Sequence, residues 1–293
     1  MHDEQLLADQ FEAHRTHLRA VAYRMLGSLA DADDAVQEAW LRLARTDTTD
    51  VGNLGGWLTT VVGRVCLDML RTRKSRGEEP LEVEHLPDPV ITSATTPDPE
   101  NEALLADSVG LALLVVLESL SPAERLAFVL HDMFAMPYEQ IAPIVDRTPQ
   151  TAKKLASQAR RRVQGVTPDS TSDLAGQRRV VDAFLAAARG GDFEELLRML
   201  DPDVVLRADA GAAMRVIRGA AAVAGQAETF QRMATRCTVH HAVVNGGPGL
   251  VNTVDGNPFS IIGFTVTEGR IAAIDILSDR DRLTRLDLAA VLG

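Results

Sequence analysis

The chain reads as an all-α N-terminal two-thirds followed by an α+β domain. Three observations lead there. As far as Gly165, apolar residues recur at helical spacing between capping residues. After Gly165 come runs such as TVHHAVV and FSIIGFTV, whose β-branched, aromatic texture is that of strands. Inside the helical part, one acidic, proline-rich stretch divides two modules.

The first module opens with Phe11, His14, Leu18, Val21, Ala22, Met25 and Leu26 on one helical face. Ser28 can cap a second helix. Asp31, Asp33 and Asp34 near its start suit the positive end of the helix dipole. Ala35, Val36, Ala39, Trp40 and Leu43 give that helix its apolar side. A glycine-containing loop at Gly52–Gly56 leads to WLTTVVGRVCLDMLRTRKSR. Here Arg64, Arg71, Arg73, Lys74 and Arg76 face only Asp68 in opposition. From Gly77 to Glu102 the prolines 80, 87, 89, 97 and 99 and many like charges predict an extended linker.

The second module, between Leu120 and Arg162, predicts two short helices joined by a tight turn. Pro137 starts the first, where a missing N–H costs nothing. Tyr138, Ile141, Ala142 and Val145 make its apolar face, and Pro143 should kink or shorten it. Asp146 stands where the turn needs a positive φ, which Asp tolerates. Thr148 then Pro149 is an N-cap followed by an N1 proline. The helix that follows exposes Gln150, Thr151, Lys153, Lys154, Ser157, Gln158, Arg160, Arg161 and Arg162. Six basic residues and no acidic one fall between Arg147 and Gln164. A capped basic helix after a short helix and turn is the pattern of a helix-turn-helix that reads the DNA major groove. A solvated basic face on an ordinary helical hairpin is the bland alternative.

In the last part, Val180–Arg189 and Phe193–Leu200 read as helices. DVVLRA, TVHHAVV, GLVNTV, FSIIGFTV and RIAAIDIL read as strands, the last two joined at Glu268-Gly269. A mainly antiparallel sheet is expected.

Composition bounds the function. A net charge of −11 argues against nucleic acid until it is divided along the chain. Residues 78–111 hold nine acidic and no basic groups, so most of the acidity is local. The N-terminus MHDEQLLADQ is polar and no apolar run could span a membrane, so a cytoplasmic protein with no membrane partner is expected. Cys66 and Cys237 lack metal-ligand spacing and read as buried thiols. No cofactor is implied.

Residues 1–165 resemble a bacterial sigma factor of the extracytoplasmic-function (ECF) group of the sigma-70 family. DADDAVQEAWLRL is similar to the sigma-two helix that docks on polymerase, WLTTVVGRVCLDMLRTRKSR to the segment that opens and reads the −10 element, and LSPAERLAFVLHDMFAMPYEQIA through SQARRRV to sigma-four, which reads the −35 element. Residues 166–293 resemble a SnoaL-like domain with the cone fold of the nuclear-transport-factor-two superfamily, carried by GDFEELLRMLDPDVVLRAD. This order resembles the SigJ-like ECF factors.

The resemblance implies a sigma-two domain at 1–77, an acidic linker at 78–102, sigma-four at 103–165, a short linker at 166–176 and a SnoaL-like regulatory domain at 177–293. It implies core RNA polymerase as partner, through the β′ clamp helices and the β flap, and promoter DNA. Asp31, Asp34, Gln37, Glu38, Trp40 and Leu41 would meet polymerase. Trp57, Arg64, Arg71, Arg73, Lys74 and Arg76 would serve the −10 element. Trp57 reads more readily as core than as a base-stacking ring. Gln150, Thr151, Lys153, Lys154, Ser157, Arg160, Arg161 and Arg162 would serve the −35 element, the early ones at bases and the arginines at phosphates. The SnoaL-like domain would tune the sigma domains in cis, through an intramolecular contact or a small-molecule ligand. The chain departs from the group in two places: Ala208–Ala212 replaces an Asp-Gly-Gly-Gly-Lys stretch, and Ser278–Leu283 replaces Asn-Pro-Asp-Lys-Leu. Many ECF factors also have Asn where Arg64 falls.

Two other readings stay open. A ligand-responsive helix-turn-helix regulator would bind duplex DNA without joining polymerase, but needs no strand-melting helix. A SnoaL-type cyclase would need Asp209, His240 or His241 inside the cone. Neighbouring strand residues point to opposite faces, so at most one histidine points inward, and a non-catalytic domain is expected.

Overall fold

The computed structural model describes residues 2–46, 52–75, 85–94, 110–163, 173–212, 214–226, 229, 231–232 and 236–293. Arg76 and most of the acidic stretch lie outside them, as does the side chain of Lys74. Two compact units result. One holds the described residues up to 75 and those from 116 to 163. The other holds 85–94, 110–115 and the residues from 173 onward.

The first unit begins with α1 (His2–Leu26), α2 (Leu29–Leu43) and α3 (Leu54–Ser75). Gly27 ends α1 at φ 72°, the left-handed conformation that glycine adopts without a Cβ penalty. Ser28 is extended and accepts the Asp31 N–H at 3.3 Å, the cap read from the sequence. Leu18, Met25, Leu43, Leu58 and Leu67 are sealed in the core. α4 (Leu111–Glu118) begins in the second unit and ends in the first, and α5 (Pro122–Phe128) follows, closed at its start by a capping box between Ser121 and Glu124. A π-helical turn at Val129–Met133 extends α5. Next come α6 (Tyr138–Ile141), a single turn stopped ahead of Pro143, and α7 (Pro149–Val163). Around Gly63 of α3, Leu130 Cδ1 stands 3.4 Å from where a Cβ would lie, so glycine lets the helices approach. The buried Arg125 donates from Nη1 to the Met25 carbonyl at 2.8 Å, a cation at the negative end of α1.

The second unit is a sheet wrapped on a long helix. α8 (Leu174–Gly190), capped by Asp173, is followed by α9 (Phe193–Met199), β2 (Leu200–Asp209), β3 (Met214–Arg218) and α10 (Ala220–Ala224). Then come β4 (Thr238–Val244), β5 (Gly247–Val254), β6 (Asn257–Thr267), β7 (Arg270–Leu277), α11 (Arg280–Leu283) and α12 (Ala289–Leu292). With β1 (Ile91–Ser93), the described strands run in the order β1-β4-β5-β6-β7-β2-β3, antiparallel except for β2 against β7. Glu268 and Gly269 both take positive φ in the β6–β7 hairpin, as the sequence predicts. β3 and β1 are strands that the sequence reading does not contain.

Strand alternation gives the sheet two faces. Leu206, Leu250, Ile262, Phe264, Ile274 and Ile276 point at α8 and pack on Val181 and Phe184. Ala242, Val244, Val251, Ile261 and Leu277 point the other way and are also buried. Leu111 of α4 reaches that second face, 3.6 Å from the Cβ position of Gly263. Gly249, paired with Gly263, lies under Val244, and a Cβ there would collide with Val244 and sit 2.8 Å from the Ile262 carbonyl.

Candidate nucleic-acid interface

The turn before α7 has the chemistry its residues suggest. Asp146 takes φ 55°. Thr148 Oγ1 accepts the Thr151 N–H at 3.3 Å, and the Thr151 hydroxyl lies 3.0 Å from the Thr148 hydroxyl. Ala152, Ala156, Ala159 and Val163 form the buried face of α7. Gln150, Lys153, Lys154 and Arg161 are exposed, with Thr151 and Ser157 partly so. The Ser157 hydroxyl donates back to the Lys153 carbonyl at 2.8 Å. Arg160 and Arg162 have protein partners. Arg160 Nε donates to Asp132 Oδ1 at 2.8 Å, and Arg162 Nη1 lies 3.2 Å from Glu124 Oε2. Hydrogen bonds to Asp132 and then Tyr138 hold the Arg160 guanidinium above its already high ordinary pKa.

On α3, Arg64 and Arg71 are exposed, Trp57 is half-buried, and Lys74 lies in the last turn. Arg71 Nη1 stands 3.9 Å from Asp68 Oδ1. Arg73 is paired with Asp31 of α2, so one residue expected at DNA and one expected at polymerase hold each other. On α2, Asp34, Gln37 and Leu41 form an exposed stripe at helical spacing, and Glu38 pairs with Arg42 at 2.9 Å. Trp40 leans on Phe11, ring centroids 5.1 Å apart, in a groove lined by Ala8, Phe11, Glu12, Arg15, Val36, Gln37 and Trp40.

A second site joins residues that the sequence separates widely. The stretch before β1 ends on Asp209, a fully buried carboxylate. Asp209 Oδ2 accepts the Leu86 N–H and Arg282 Nη1, each at 2.8 Å; its Oδ1 accepts the Gly211 N–H at 3.0 Å and lies 3.3 Å from His85 Nδ1. Arg282 also binds Asp88 and the Leu86 carbonyl. Further on, Val90 N–H donates to Asn245 Oδ1 at 3.1 Å, and Ile91–Ser93 pair with Val244–Ala242. Asp209 and Arg282 stand in the two short stretches, 208–212 and 278–283, that the sequence analysis singles out.

This geometry also decides where the cyclase candidates lie. Asp209 and His240 are on the sheet face turned away from α8, and His240 Nε2 lies 3.2 Å from Thr253 Oγ1. His241 is on the α8 side at the edge, 3.9 Å from Asp182 Oδ1. So neither Asp209 nor His240 is inside the cone, where an acid–base role would place them. On the same face of the sheet, burial of Asp275 pushes its carboxyl up, against the pull of Arg207 at 2.8 Å. Among the described residues no group of three or more His, Cys, Asp and Glu could hold a metal ion.

A DNA-reading helical pair on one part of the chain and a cone domain on the other define a transcription protein with a fused accessory domain. Comparisons with known proteins agree. Residues 10–76 match sigma-70 region 2, residues 110–163 match sigma-70 region 4, and residues 181–281 match the SnoaL-like domain. The chain is 36% identical over 291 residues to the ECF RNA polymerase sigma factor SigJ of Mycobacterium tuberculosis, covering 94% of this chain and 92% of SigJ. It is 35% identical over 270 residues to the probable ECF sigma factor SigI of the same organism, covering 91% of each. The crystal structure of M. tuberculosis SigJ matches with TM-score 0.75 at 34% identity, over 96% of this chain and 99% of that one. The chain belongs to the ECF sigma factors of RNA polymerase, in the group that carries a C-terminal SnoaL-like domain. It functions as a sigma factor, a partner of RNA polymerase and DNA. No helix among the described residues is long and apolar enough to cross a membrane.

Proposed function

We propose that this sigma factor works in the cytoplasm, meets the β′ clamp helices through Asp34, Gln37 and Leu41, and meets the β flap through the region-4 module. Trp57, Arg64, Arg71, Lys74 and Arg76 serve the −10 strand, with Arg73 and Asp31 fixing α3 against α2. Gln150, Lys153, Lys154 and Arg161 serve the −35 duplex, with Thr151 and Ser157 beside them. The domain bounds follow: region 2 as far as residue 77, a connector at 78–102, region 4 at 103–165, a short link at 166–176 and the cone from 177.

The cone modulates the sigma domains in cis. One observation carries this: the connector between the two sigma modules is stitched into the cone sheet, by β1 on β4 and by Leu86, His85 and Asp88 around Asp209 and Arg282. A tether of that kind sets how freely the two modules can take up their polymerase-bound spacing. It also leaves the base-reading residues untouched.

Run-off transcription with purified core polymerase tests the reading, comparing the full chain, its Asp209→Ala variant and a chain cut after Gly165. The expected result is one set of start sites and one pair of promoter elements, with different yields. Equal yields from all three would refute cis modulation. No defined starts from any would favour the regulator that binds duplex DNA alone.

A further inference from the structure

α7 is seated on alanines. Ala152, Ala156 and Ala159 are fully buried, and short side chains leave only shallow ridges to stop a helix from rolling about its axis. Rolling matters for a helix that reads bases. At a side-chain radius of about 5–6 Å, a roll of about 20° moves a contacting atom by about 2 Å, far beyond the tolerance of a hydrogen bond.

Two ion pairs oppose such a roll. Arg160 and Arg162 are two residues apart, so their side chains leave α7 about 200° from each other, on opposite flanks. Both end on the segment that precedes the helix-turn-helix. Arg160 places Nε and Nη2 on Asp132 Oδ1, and Arg162 reaches Glu124. Both carboxylates are themselves fixed. Glu124 accepts the Ser121 N–H at 3.0 Å and its hydroxyl at 2.6 Å. Asp132 lies in the π turn, a geometry that recurs at functional sites, and its neighbour His131 stacks on Tyr138 at 3.8 Å and bonds to the Met136 carbonyl.

We infer that Asp132 and Glu124 are positioning residues for promoter reading: with Arg160 and Arg162 they form two stays that set the rotation of α7, so that Gln150, Lys154 and Arg161 face the groove together. The inference rests on the assignment of α7 to the −35 element.

Its test turns on sign. A bystander carboxylate beside DNA repels it, so Asp132→Asn would then tighten binding to every sequence and steepen the salt dependence by freeing a cation. A stay gives the reverse for the specific site. The assay compares holoenzyme made from the full chain and core polymerase on promoter fragments with the −35 element intact or scrambled. For Asp132→Asn the intact-to-scrambled affinity ratio should fall roughly fivefold, the upper range for a half-exposed pair. Binding to scrambled fragments should be unchanged or tighter, which also reports that the variant is folded. The exchange Asp132→Arg with Arg160→Asp should restore the ratio. An unchanged or higher ratio in Asp132→Asn would overturn the inference. A ratio of one for the unaltered protein would overturn the −35 assignment itself, and the inference with it.

Discussion

Replacing Asp209 by alanine should free the connector from the cone. The carboxylate is fully buried and serves three donors: the Leu86 N–H, the Gly211 N–H and Arg282. Gly211 is partly exposed, so water can replace its partner at little cost. Leu86 is not, and a buried N–H left without an acceptor costs about 1–3 kcal/mol. Losing a hydrogen bond to the Arg282 cation costs a further ~1.5–3 kcal/mol, reduced because Asp88 and the Leu86 carbonyl keep hold of it. The sum is about 3 kcal/mol. At about 1.4 kcal/mol per tenfold, hydrogen exchange of the amides at 86–93 and 242–245 should speed up roughly a hundredfold. Both tryptophans, Trp40 and Trp57, belong to the other unit, so the urea midpoint read by their fluorescence should hold. Less than a threefold rise in exchange at 86–93, or an equal rise throughout the chain, would refute the tether.

The buried pair Arg207–Asp275 should respond differently to single and double replacement. Asp275→Ala alone should cost about 3–5 kcal/mol, whereas Arg207→Met with Asp275→Leu should be near neutral in a denaturant titration. Because burial raises the Asp275 carboxyl in the folded state, its titration favours folding below the ordinary carboxylate range and loses that contribution as pH rises through the raised value. The stability of the native chain relative to Asp275→Asn should therefore fall with rising pH, as equilibrium unfolding at several pH values would show. Gly249→Ala should destabilise the cone by about 1–3 kcal/mol, since Val244 and the Ile262 carbonyl must both give way, and a thermal melt would record it. Burial pushes the Cys66 thiol up to about 12 and seals it, so a thiol reagent near neutral pH should label Cys237 in the native protein and Cys66 only after denaturation, as peptide mass spectrometry would report.

Local rules carried the helical half, and one hairpin of the sheet, far. Ser28, Thr148 with Pro149, Asp146 and the Glu268-Gly269 hairpin act through their immediate neighbours, so their roles can be read from a few consecutive residues. What escaped reading depends on distant partners. Val90-Ile91-Thr92 is a β-branched run that could have suggested a strand, yet its proline-rich setting points to a spacer, and only β4 gives it a ladder. Nothing near Arg282 foretells Asp209, 73 residues away, because charge complementarity across a fold leaves no spacing behind. Arg160 and Arg162 show the same limit. A basic run states the charge that is present, and the carboxylates of Glu124 and Asp132 decide how much of it remains free.

The sheet takes its edge strand from far upstream, and that fixes an order of events during synthesis. Val90 and its partner Asn245 are 155 residues apart. At roughly 5–20 residues per second, the ribosome needs about 8–30 s to pass from one to the other. Both sigma modules are complete within that interval, while the strand that will hold their connector does not yet exist. A nascent chain therefore spends its first seconds as a sigma factor whose connector is unheld, and the connector finds its place in the sheet only when translation reaches β4.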